Sequence, residues 1–442
     1  MTINYKEKAK KLISEWKKDN YAFGLGVLHR VGEFSLKADD TTMLVVSGLG
    51  TEKWINPVVK EIKDSLRKKN IEIISIIRGA EANTPREDVY RIANQIGKKK
   101  PGSIIAIGGG STIDAVKAAA VLCTLESDDL ESYFGMGLVS ERAIKENKKI
   151  PIVIAVQTAA SSGAHLTKYS NITNPLTGQK KLIIDDSIIP PMAVFDYCTT
   201  LGAPYAIKVD GALDGIAHCI EVVCGSTGKP FFEKTMEIAE SGINLIVKNL
   251  SESLERPMDS DIAENIGLGT DLGGYAIMVG GTNYGHLFSF SLVNKLTHGR
   301  ACAIADPYVL VFFALAIEPQ LRLLGRIFKE NGYISEEIEN KHGRELSLTV
   351  CRGIIKFLKR IEFPTTFGDV GVWIILTGKG SLDAAKNPQL WSKLEQAPVS
   401  LIVRDTNGDV NEKLTKNNID VYMGALIDAI ISGDLNMIKN IP

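Results

Sequence analysis

The first 200 residues alternate between short apolar runs and longer amphipathic segments, and this alternation limits the fold more than any other feature. Segments with helical periodicity, such as Asn56–Lys69 and Arg86–Lys98, separate the apolar runs. Strands that are apolar on both faces and alternate with helices indicate a parallel sheet covered by helices on both sides. The strand candidates are Met43–Ser47, Ile71–Ile77, Ser103–Ile107, Pro151–Val156 and Ala193–Phe195.

The strand signals fade after about residue 205, and the second half has helical periodicity. We therefore expect an α/β domain over residues 1–205 and an all-helical domain over residues 206–442. No flexible spacer separates them, so we expect the two domains to pack tightly around a cleft. The helical candidates are Asp210–Cys224, Phe231–Leu250, Asp261–Met278, Pro307–Asn331 and Arg344–Arg360.

A run of three glycines follows the third apolar strand and leads into an alanine-rich helix. Gly108, Gly109 and Gly110 carry no Cβ atoms, so the backbone can approach a pyrophosphate closely, and the helix N-terminus adds partial positive charge. Ser111 can cap the helix or bond a phosphate oxygen. A tight turn that needs glycine only for its shape is the alternative, but the strand–turn–helix context favours phosphate binding.

A second polar run, Gln157–Thr167, follows the next strand. Small and hydroxyl side chains at the carboxyl end of a parallel strand commonly line a ligand crevice. A plain serine-rich loop would have the same composition. The cofactor-binding candidates in this run are Thr158, Ser161, Ser162 and Thr167.

Histidine and aspartate spacing in the second half suggests a metal site. Asp214 and His218 are four residues apart, so on a helix both face one side, although an ordinary surface pair has the same spacing. His286 and His298 are twelve residues apart, about 18 Å along a straight helix. If both bind one ion, the helix must end between them, with Thr297 available to cap the next helix. The four side chains make an O/N ligand set suited to Fe²⁺ or Zn²⁺.

The charge balance and cysteine pattern argue against several classes of partner. Lys and Arg number 51 against 52 Asp and Glu, so a net charge of −1 gives no general attraction to nucleic acid or membrane. The six cysteines form no CxxC pair, which is typical of thiols in a reducing compartment. We expect a cytoplasmic protein that binds neither nucleic acid nor membrane.

Taken together, the motifs resemble those of the iron-containing (group III, metal-dependent) alcohol dehydrogenase family, from about residue 20 to the C-terminus. The family's phosphate loop resembles Gly108–Lys117, which includes Asp114, and its nicotinamide-side loop resembles Gln157–Thr167. Its first metal helix resembles Asp214–Glu221, and its last His-Gly ligand motif resembles His298-Gly299.

The resemblance implies a dehydroquinate synthase-like fold, with an α/β dinucleotide-binding domain, an all-α domain and the active site between them. It also implies reversible NAD(P)-linked oxidation of a small-molecule alcohol to an aldehyde or ketone, by hydride transfer to nicotinamide C4. A homodimer or higher homo-oligomer is the corresponding expectation. Lys180 is a candidate to reach cofactor hydroxyls, although a solvated lysine pair with Lys181 is the simpler interpretation.

Three positions depart from the family pattern. The family has two histidines four residues apart before the His-Gly motif, the first being a ligand, and here these positions align with Thr282 and His286. We predict that His286 has become the ligand; otherwise it is the candidate proton relay. His165 stands where the family often has Glu. Gly48 replaces an aspartate that would repel a 2′-phosphate, which favours NADP(H) over NAD(H).

Other functions remain open from the sequence. A polyol or glycerol-1-phosphate-type dehydrogenase, or a dehydroquinate synthase-like lyase, would have the same fold. Basic residues are sparse near the metal motifs, which disfavours the lyase and its phosphorylated substrate. A nucleotide-binding protein with a degraded metal site is the non-enzyme alternative, because Thr282 replaces a histidine.

Overall fold

The N-terminal half is built on a six-stranded, wholly parallel sheet. The computed structural model describes residues 4–125, 129–290, 292, 295–372, 402–404, 410–413 and 419–439. The spatial order of the strands is β1-β9-β6-β4-β2-β3. These strands are β1 (Tyr21–Gly24), β2 (Thr41–Val46), β3 (Glu72–Arg78), β4 (Ser103–Gly108), β6 (Ile152–Gln157) and β9 (Met192–Asp196). The expected fold class is confirmed.

Helices cover both faces of this sheet because its strands are apolar on both sides. Along β2, Leu44 and Val46 pack in one apolar cluster while Met43 and Val45 pack in the other. The first cluster includes residues of α2 (Arg30–Ala38) and α3 (Ile55–Lys68). The second includes residues of α4 (Arg86–Lys99) and α5 (Gly110–Leu122). The N-terminal helix α1 spans Tyr5–Lys17, and α6 spans Leu138–Glu146.

The strand order reverses at β2. Strand β3 lies on one side of β2, whereas β4, β6 and β9 follow one another on its other side. The turns after β2 and β4 therefore lie side by side at the carboxyl edge. The Ser47 amide donates to the Ile107 carbonyl at 2.8 Å, and a Cβ on Gly108 would lie 2.8 Å from Ser47 Cβ. Doubly wound sheets bind ligands at such a reversal.

The sequence patterns do not predict β1 or the strands of a second, smaller sheet in the α/β half. Strand β1 has only four residues and follows α1 after a single 3₁₀ turn, so its apolar run is too short to recognise. A small second sheet has the order β5-β8-β7, and Lys180 lies within β8. The strands of this sheet are β5 (Gly135–Met136), β7 (Tyr169–Asn174) and β8 (Gln179–Ile184).

The second half is helical, as expected, with two differences. The predicted helix Pro307–Asn331 corresponds to parts of two helices in the structure. Pro307 lies inside α11, and Pro319 lies in the first turn of α12, where proline favours the start of a new helix. Two short antiparallel strands, β10 (Ile402–Arg404) and β11 (Val410–Lys413), also occur. The helices are α7 (Tyr205–Gly225), α8 (Phe232–Glu255), α9 (Ser260–Val279), α10 (Tyr284–Phe290), α11 (His298–Phe312), α12 (Glu318–Glu330), α13 (Gly343–Arg360) and α14 (Ile419–Ser432).

Contacts between the two halves are close. Trp16 of α1 stacks on Tyr275 of α9 with ring centroids 4.4 Å apart. A Cβ on Gly163 would lie only 2.7 Å from Gly274 Cα, so two glycines allow a loop of the first half to touch α9. The boundary near residue 205 itself stays a prediction. Among the described residues, no helix has the length and apolar character needed to cross a membrane.

Candidate metal and nucleotide site

The triple-glycine turn forms the N-terminus of α5. Gly108 and Gly110 are needed for packing, because a Cβ would lie 2.8 Å from Ser47 Cβ at the first and 2.6 Å from Ser162 Oγ at the second. A Cβ on Gly109, in contrast, would meet only Ala159 Cβ at 3.6 Å. The turn therefore has an open face at Gly109, where the first amides of α5 are available to an anion.

The loop after β6 lies against this turn. The Thr158 amide donates to the Gly108 carbonyl at 3.1 Å. Ser162 Oγ is buried and has no hydrogen-bond partner among the described residues. Ser161 Oγ is 3.4 Å from Gln157 Nε2, and Thr167 is buried. The loop thus brings the hydroxyl of Ser162 to the turn without a protein partner.

Two further candidates in this region make contacts with the protein itself. The Ser111 hydroxyl accepts from the Asn83 amide at 3.1 Å. Asp114 is buried below the turn, where its Oδ2 accepts from the Asn171 amide at 2.9 Å and its Oδ1 lies 3.6 Å from Lys117 Nζ. Both contacts join α5 to its surroundings, and a direct contact of either side chain with a cofactor stays a prediction.

The metal candidates converge on one oxygen atom. Asp214 and His218 lie one turn apart on α7, and His286 and His298 come from α10 and α11. Asp214 Oδ1 lies 3.9 Å from His218 Nε2, 3.8 Å from His286 Nε2 and 4.0 Å from His298 Nε2. The required helix end between His286 and His298 is present, since α10 ends at Phe290 and α11 begins at His298.

Hydrogen bonds on the far side of two imidazoles turn their Nε2 lone pairs towards Asp214. His286 Nδ1 lies 2.6 Å from Glu221 Oε1 and donates to it. The Ser289 hydroxyl donates to the His286 carbonyl, so its oxygen accepts from His298 Nδ1 at 2.7 Å. Both histidines are thereby held in the tautomer that a metal ligand requires.

A divalent cation fits this donor set. Two ligands each about 2.1 Å from one ion lie no more than about 4.2 Å apart, a limit that all three distances from Asp214 Oδ1 satisfy. Asp214 Oδ1 and His286 Nε2 are buried without partners among the described residues, which is costly unless a cation lies between them. Burial lowers the pKa of His218 to about 4 and that of His298 well below its usual value, so both lone pairs are free at neutral pH.

The missing side chain of Gly299 allows α11 to approach α7 closely. A Cβ there would lie 2.2 Å from the Asp210 carbonyl oxygen and 2.8 Å from Asp214 Cβ. Arg300 and Thr297 secure the crossing, through contacts of 2.9 Å and 2.5 Å to the Asp210 carboxylate. The Thr297 hydroxyl donates to Asp210, and Thr297 makes no side-chain cap bond to α11 although it stands at the N-cap position.

Replacement of Gly299 by Ala is expected to move α11 away from α7. Overpacking of this kind costs ~1–3 kcal/mol of unfolding free energy. We also expect the affinity for a divalent cation to fall, because His298 moves relative to Asp214. Calorimetric metal titration and urea unfolding measure the two effects. The control is Gly97→Ala, where nothing lies within 4 Å of the added Cβ; equal behaviour of the two variants would contradict the packing argument.

The sequence motifs missed Cys302, Glu221 and Ser289 as parts of this site. Cys302 is fully buried, and its sulfur lies within 4.8 Å of ligand atoms of Asp214, His286 and His298; His218 is not in that mutual set. Its position four residues after His298 is the one signal in the sequence that points to it.

Lys180 and Gly211 connect the metal cluster to the glycine turn. A Cβ on Gly211, one turn before Asp214, would lie 2.1 Å from the Ala160 carbonyl oxygen. The Lys180 ammonium is buried, which lowers its pKa, and the charges of Asp114 and Asp214 oppose that shift. Lys180 is therefore near enough to both carboxylates to feel their charge, while Lys181 forms an ion pair with Glu131 at 2.6 Å.

His165 belongs to a buried network away from this cluster. The hydroxyls of Tyr21 and Tyr197 both donate to Asp271 Oδ2, at 2.6 and 2.8 Å. The Tyr21 oxygen is then free to accept from His165 Nε2 at 2.9 Å, and Nδ1 has no partner among the described residues. The network ties β1 and the loop after β6 to α9.

His165 makes the stability depend on pH. Burial lowers its pKa, with Asp271 opposing, whereas the unfolded imidazole titrates near pH 6.5. The unfolded state therefore binds more protons, and the free energy of unfolding falls as the pH drops below about 6.5. We expect His165→Gln to reduce this loss by up to ~1.4 kcal/mol per pH unit. Urea unfolding of both proteins at pH 7.5 and 5.5 measures it; identical pH dependences would contradict the assignment.

Comparisons with known proteins identify the family of the chain. Residues 19–197 match the family model described as iron-containing alcohol dehydrogenase, and residues 208–373 match the model of the Fe-containing alcohol dehydrogenase family, C-terminal. The chain belongs to the iron-containing alcohol dehydrogenase family. The resemblance inferred from the motifs is confirmed, and this family member is an oxidoreductase acting on CH–OH groups.

The relatives of this alcohol dehydrogenase family member have low sequence identity to it, but the alignments cover most of each chain. The 1,3-propanediol dehydrogenase of Citrobacter freundii is 24% identical over 353 residues, 79% of this chain and 86% of that one. The NADPH-dependent butanol dehydrogenase of Clostridium saccharobutylicum is 24% identical over 355 residues, 79% of this chain and 84% of that one. The alcohol dehydrogenase from Oenococcus oeni has a similar structure, with a TM-score of 0.74, 21% identity, and coverage of 86% and 97%.

Two departures from the iron-containing alcohol dehydrogenase pattern gain a structural basis. His286 Nε2 lies 3.8 Å from Asp214 Oδ1, so its side chain lies with the other metal candidates, and its role as the ligand in place of Thr282 stays a prediction. A Cβ added to Gly48 would lie 2.7 Å from Glu52 Cβ and 2.6 Å from Glu52 Cγ. A carboxylate thus follows β2 after all, supplied by the next turn.

Proposed function

We propose that this protein interconverts a primary alcohol and its aldehyde, with a nicotinamide dinucleotide and a divalent cation, Fe²⁺ or Zn²⁺. The ligands we propose are Asp214, His218, His286 and His298. One observation supports this above all: three imidazole Nε2 atoms from three helices surround one buried carboxylate oxygen at 3.8–4.0 Å. The propanediol and butanol dehydrogenase relatives support a primary alcohol as substrate.

The protein side chains hold and orient the reacting groups. A divalent cation, when bound, supplies the Lewis acidity that polarises an alcohol or carbonyl oxygen. Glu221 keeps the His286 proton on Nδ1 at 2.6 Å, and Ser289 does the same for His298 at 2.7 Å. We infer that His286 is a ligand and not a proton relay, because Glu221 holds its Nδ1 and its unpartnered Nε2 faces Asp214 Oδ1 at 3.8 Å.

The α/β half holds the dinucleotide. The open face at Gly109 and the first amides of α5 bind the pyrophosphate, and Ser162 supplies a hydroxyl with no other partner. Since the loop carrying Ser161 packs on Gly211 and Asp214 lies one turn further along α7, a dinucleotide on the glycine turn extends towards the metal cluster. Lys180 is buried near the charges of Asp114 and Asp214, which supports the proposal that it binds cofactor hydroxyls.

The turn after β2 bears on the choice of dinucleotide. Gly48 suggested room for the 2′-phosphate of NADP(H), yet Glu52 folds back over that position because its amide donates to the Gly48 carbonyl at 2.8 Å. A carboxylate near the ribose favours a free 2′-hydroxyl and repels a phosphate. We therefore propose NAD(H) as the preferred cofactor, with NADPH tested beside it.

Removal of the metal tests the proposal. Dialysis against a chelator is expected to abolish alcohol oxidation and aldehyde reduction, and Fe²⁺ or Zn²⁺ is expected to restore both. Initial rates with C2–C4 alcohols and aldehydes, each with NAD(H) and NADP(H), define the substrate and cofactor. Undiminished turnover in a preparation that elemental analysis shows to be metal-free would refute the metal-dependent reaction.

The related reactions are separated by the same assay. A glycerol-1-phosphate-type substrate needs positive charge at its phosphate, but Arg300 near the cluster is paired with Asp210 at 2.9 Å. Turnover of a phosphorylated polyol and no turnover of plain alcohols would favour that alternative; a dehydroquinate synthase-like lyase would consume its substrate with no net change in NADH. A protein that bound dinucleotide but no metal would be the non-enzyme alternative.

Two broader expectations accompany the proposal. We infer a homodimer or larger homo-oligomer, which the family resemblance supports. We also infer a cytoplasmic location, which the six cysteines support, since all of them are free thiols. Size-exclusion chromatography with light scattering and fractionation of cells measure these two properties.

A further inference from the structure

The second metal helix repeats the ligand spacing of the first. On α7 the pair Asp214 and His218 is four residues apart, and on α11 the pair His298 and Cys302 has the same spacing. Residues four apart on a helix share one face. Gly299 brings α11 against α7 just where these two faces meet, because its missing Cβ would lie 2.8 Å from Asp214 Cβ. The fold therefore directs two donor pairs towards each other.

The surroundings of Cys302 differ from those of the other fully buried cysteines. Cys219 and Cys351 are buried thiols that belong to no group of possible ligand atoms among the described residues. The Cys302 sulfur, in contrast, lies within 4.8 Å of ligand atoms of Asp214, His286 and His298, so it faces polar donors and not a purely apolar core. A cation among these atoms would have a sulfur, an oxygen and two nitrogen donors around it.

We propose that Cys302 is a further ligand of the divalent cation, in addition to His218 and grouped with Asp214, His286 and His298, and that it makes the site prefer Zn²⁺ over Fe²⁺. The proposal rests on the proposed function, since it concerns the same ion. The ligand atoms of these four residues lie within 4.8 Å of one another. Bond lengths of about 2.3 Å to sulfur and 2.1 Å to nitrogen allow about 4.4 Å, so a contraction of a few tenths of an ångström closes the set.

The chemistry of the donors explains the preference. Coordination breaks the S–H bond, forms a sulfur–metal bond and releases the proton to solvent. The resulting thiolate and the Asp214 carboxylate carry two negative charges, which match a divalent cation between neutral imidazoles. Thiolate is a soft ligand that favours Zn²⁺, whereas carboxylate and imidazole alone suit Zn²⁺ and Fe²⁺ alike.

Cobalt substitution tests the sulfur ligand directly. Metal-free full-length protein is loaded with Co²⁺, and its near-ultraviolet spectrum is compared with those of Cys302→Ser and the control Cys351→Ser, which changes a buried thiol on α13. We expect a sulfur-to-cobalt charge-transfer band in the wild type and in the control, and no such band in Cys302→Ser. A wild type that binds Co²⁺ without this band, or a band that persists in Cys302→Ser, would overturn the proposal and leave the proposed function standing.

Failure to bind Co²⁺ at all would overturn both the sulfur ligand and the metal-dependent function. X-ray absorption of the zinc-loaded wild type needs no variant: a sulfur shell at about 2.3 Å supports the ligand, and a shell of nitrogen and oxygen alone refutes it. Anaerobic competition between the two metals measures the ratio of the Zn²⁺ affinity to the Fe²⁺ affinity. We expect this ratio to be lower in Cys302→Ser than in the wild type by about tenfold or more, because even partners outside the ligand shell change metal affinity roughly 10- to 100-fold. An unchanged preference would refute the selectivity.

Discussion

Asp214→Ala is expected to lose its divalent cation and, with it, nearly all alcohol oxidation. Asp214 Oδ1 lies within 4.0 Å of all three imidazole Nε2 atoms, so the variant loses the donor that faces all three histidines. Loss of Lewis-acid assistance costs several kcal/mol, which corresponds to a fall in kcat/KM of about 10³-fold or more. Elemental analysis and initial rates measure the two effects on the same preparation.

The stability of the metal-free proteins separates ligand loss from misfolding in this variant. The Asp214 carboxylate is buried with an unpartnered oxygen, so its removal relieves an unfavourable burial in the metal-free state. We expect metal-free Asp214→Ala to be at least as stable as the metal-free wild type. Asp64→Ala, at a half-buried position of α3 where the carboxylate pairs with Arg67, is the matched control. Full metal content with wild-type activity in Asp214→Ala would refute the proposed site.

Gly109→Asp is expected to weaken dinucleotide binding about 100-fold, or ~3 kcal/mol, while leaving the metal content unchanged. The backbone at Gly109 has φ −82° and ψ −173°, which any residue adopts, and a Cβ meets only Ala159 at ordinary contact distance. The new carboxylate instead stands where the first amides of α5 would hold a pyrophosphate. Fluorescence titration with NADH measures the affinity.

Gly97→Asp provides the control for this charge, because Gly97 is a helical glycine of α4 with nothing within 4 Å of an added Cβ. We expect its affinity for NADH to equal that of the wild type. If Gly109→Asp bound NADH as tightly as Gly97→Asp does, the dinucleotide would have to bind elsewhere.

The elements that the sequence reveals are those whose signals are local. Strand β4, the glycine turn and α5 follow one another within twenty residues, so apolar run, turn chemistry and helix periodicity agree. Asp214 and His218 are predictable for the same reason, because one helix turn fixes their relation. The break between His286 and His298 follows from distance alone, since a straight helix cannot bring them together.

The parts that the sequence hides depend on contacts between distant segments. Glu221 and Ser289 matter through the Nδ1 atoms of His286 and His298, which only the tertiary structure shows. Cys302 resembles any buried thiol until α11 is seen against α7. The ligand role of His286 is a prediction from the sequence, because a motif comparison cannot tell which way a side chain faces; in the structure its Nε2 lies 3.8 Å from Asp214 Oδ1.

Crystals grown with a nicotinamide dinucleotide and measured at the Fe or Zn absorption edge test the central claim most directly. We expect one anomalous peak, about 2.0–2.2 Å from Asp214 Oδ1 and from the Nε2 atoms of His286 and His298, and a pyrophosphate beside Gly109. An anomalous peak elsewhere, or a dinucleotide whose nicotinamide points away from Asp214, would contradict the account.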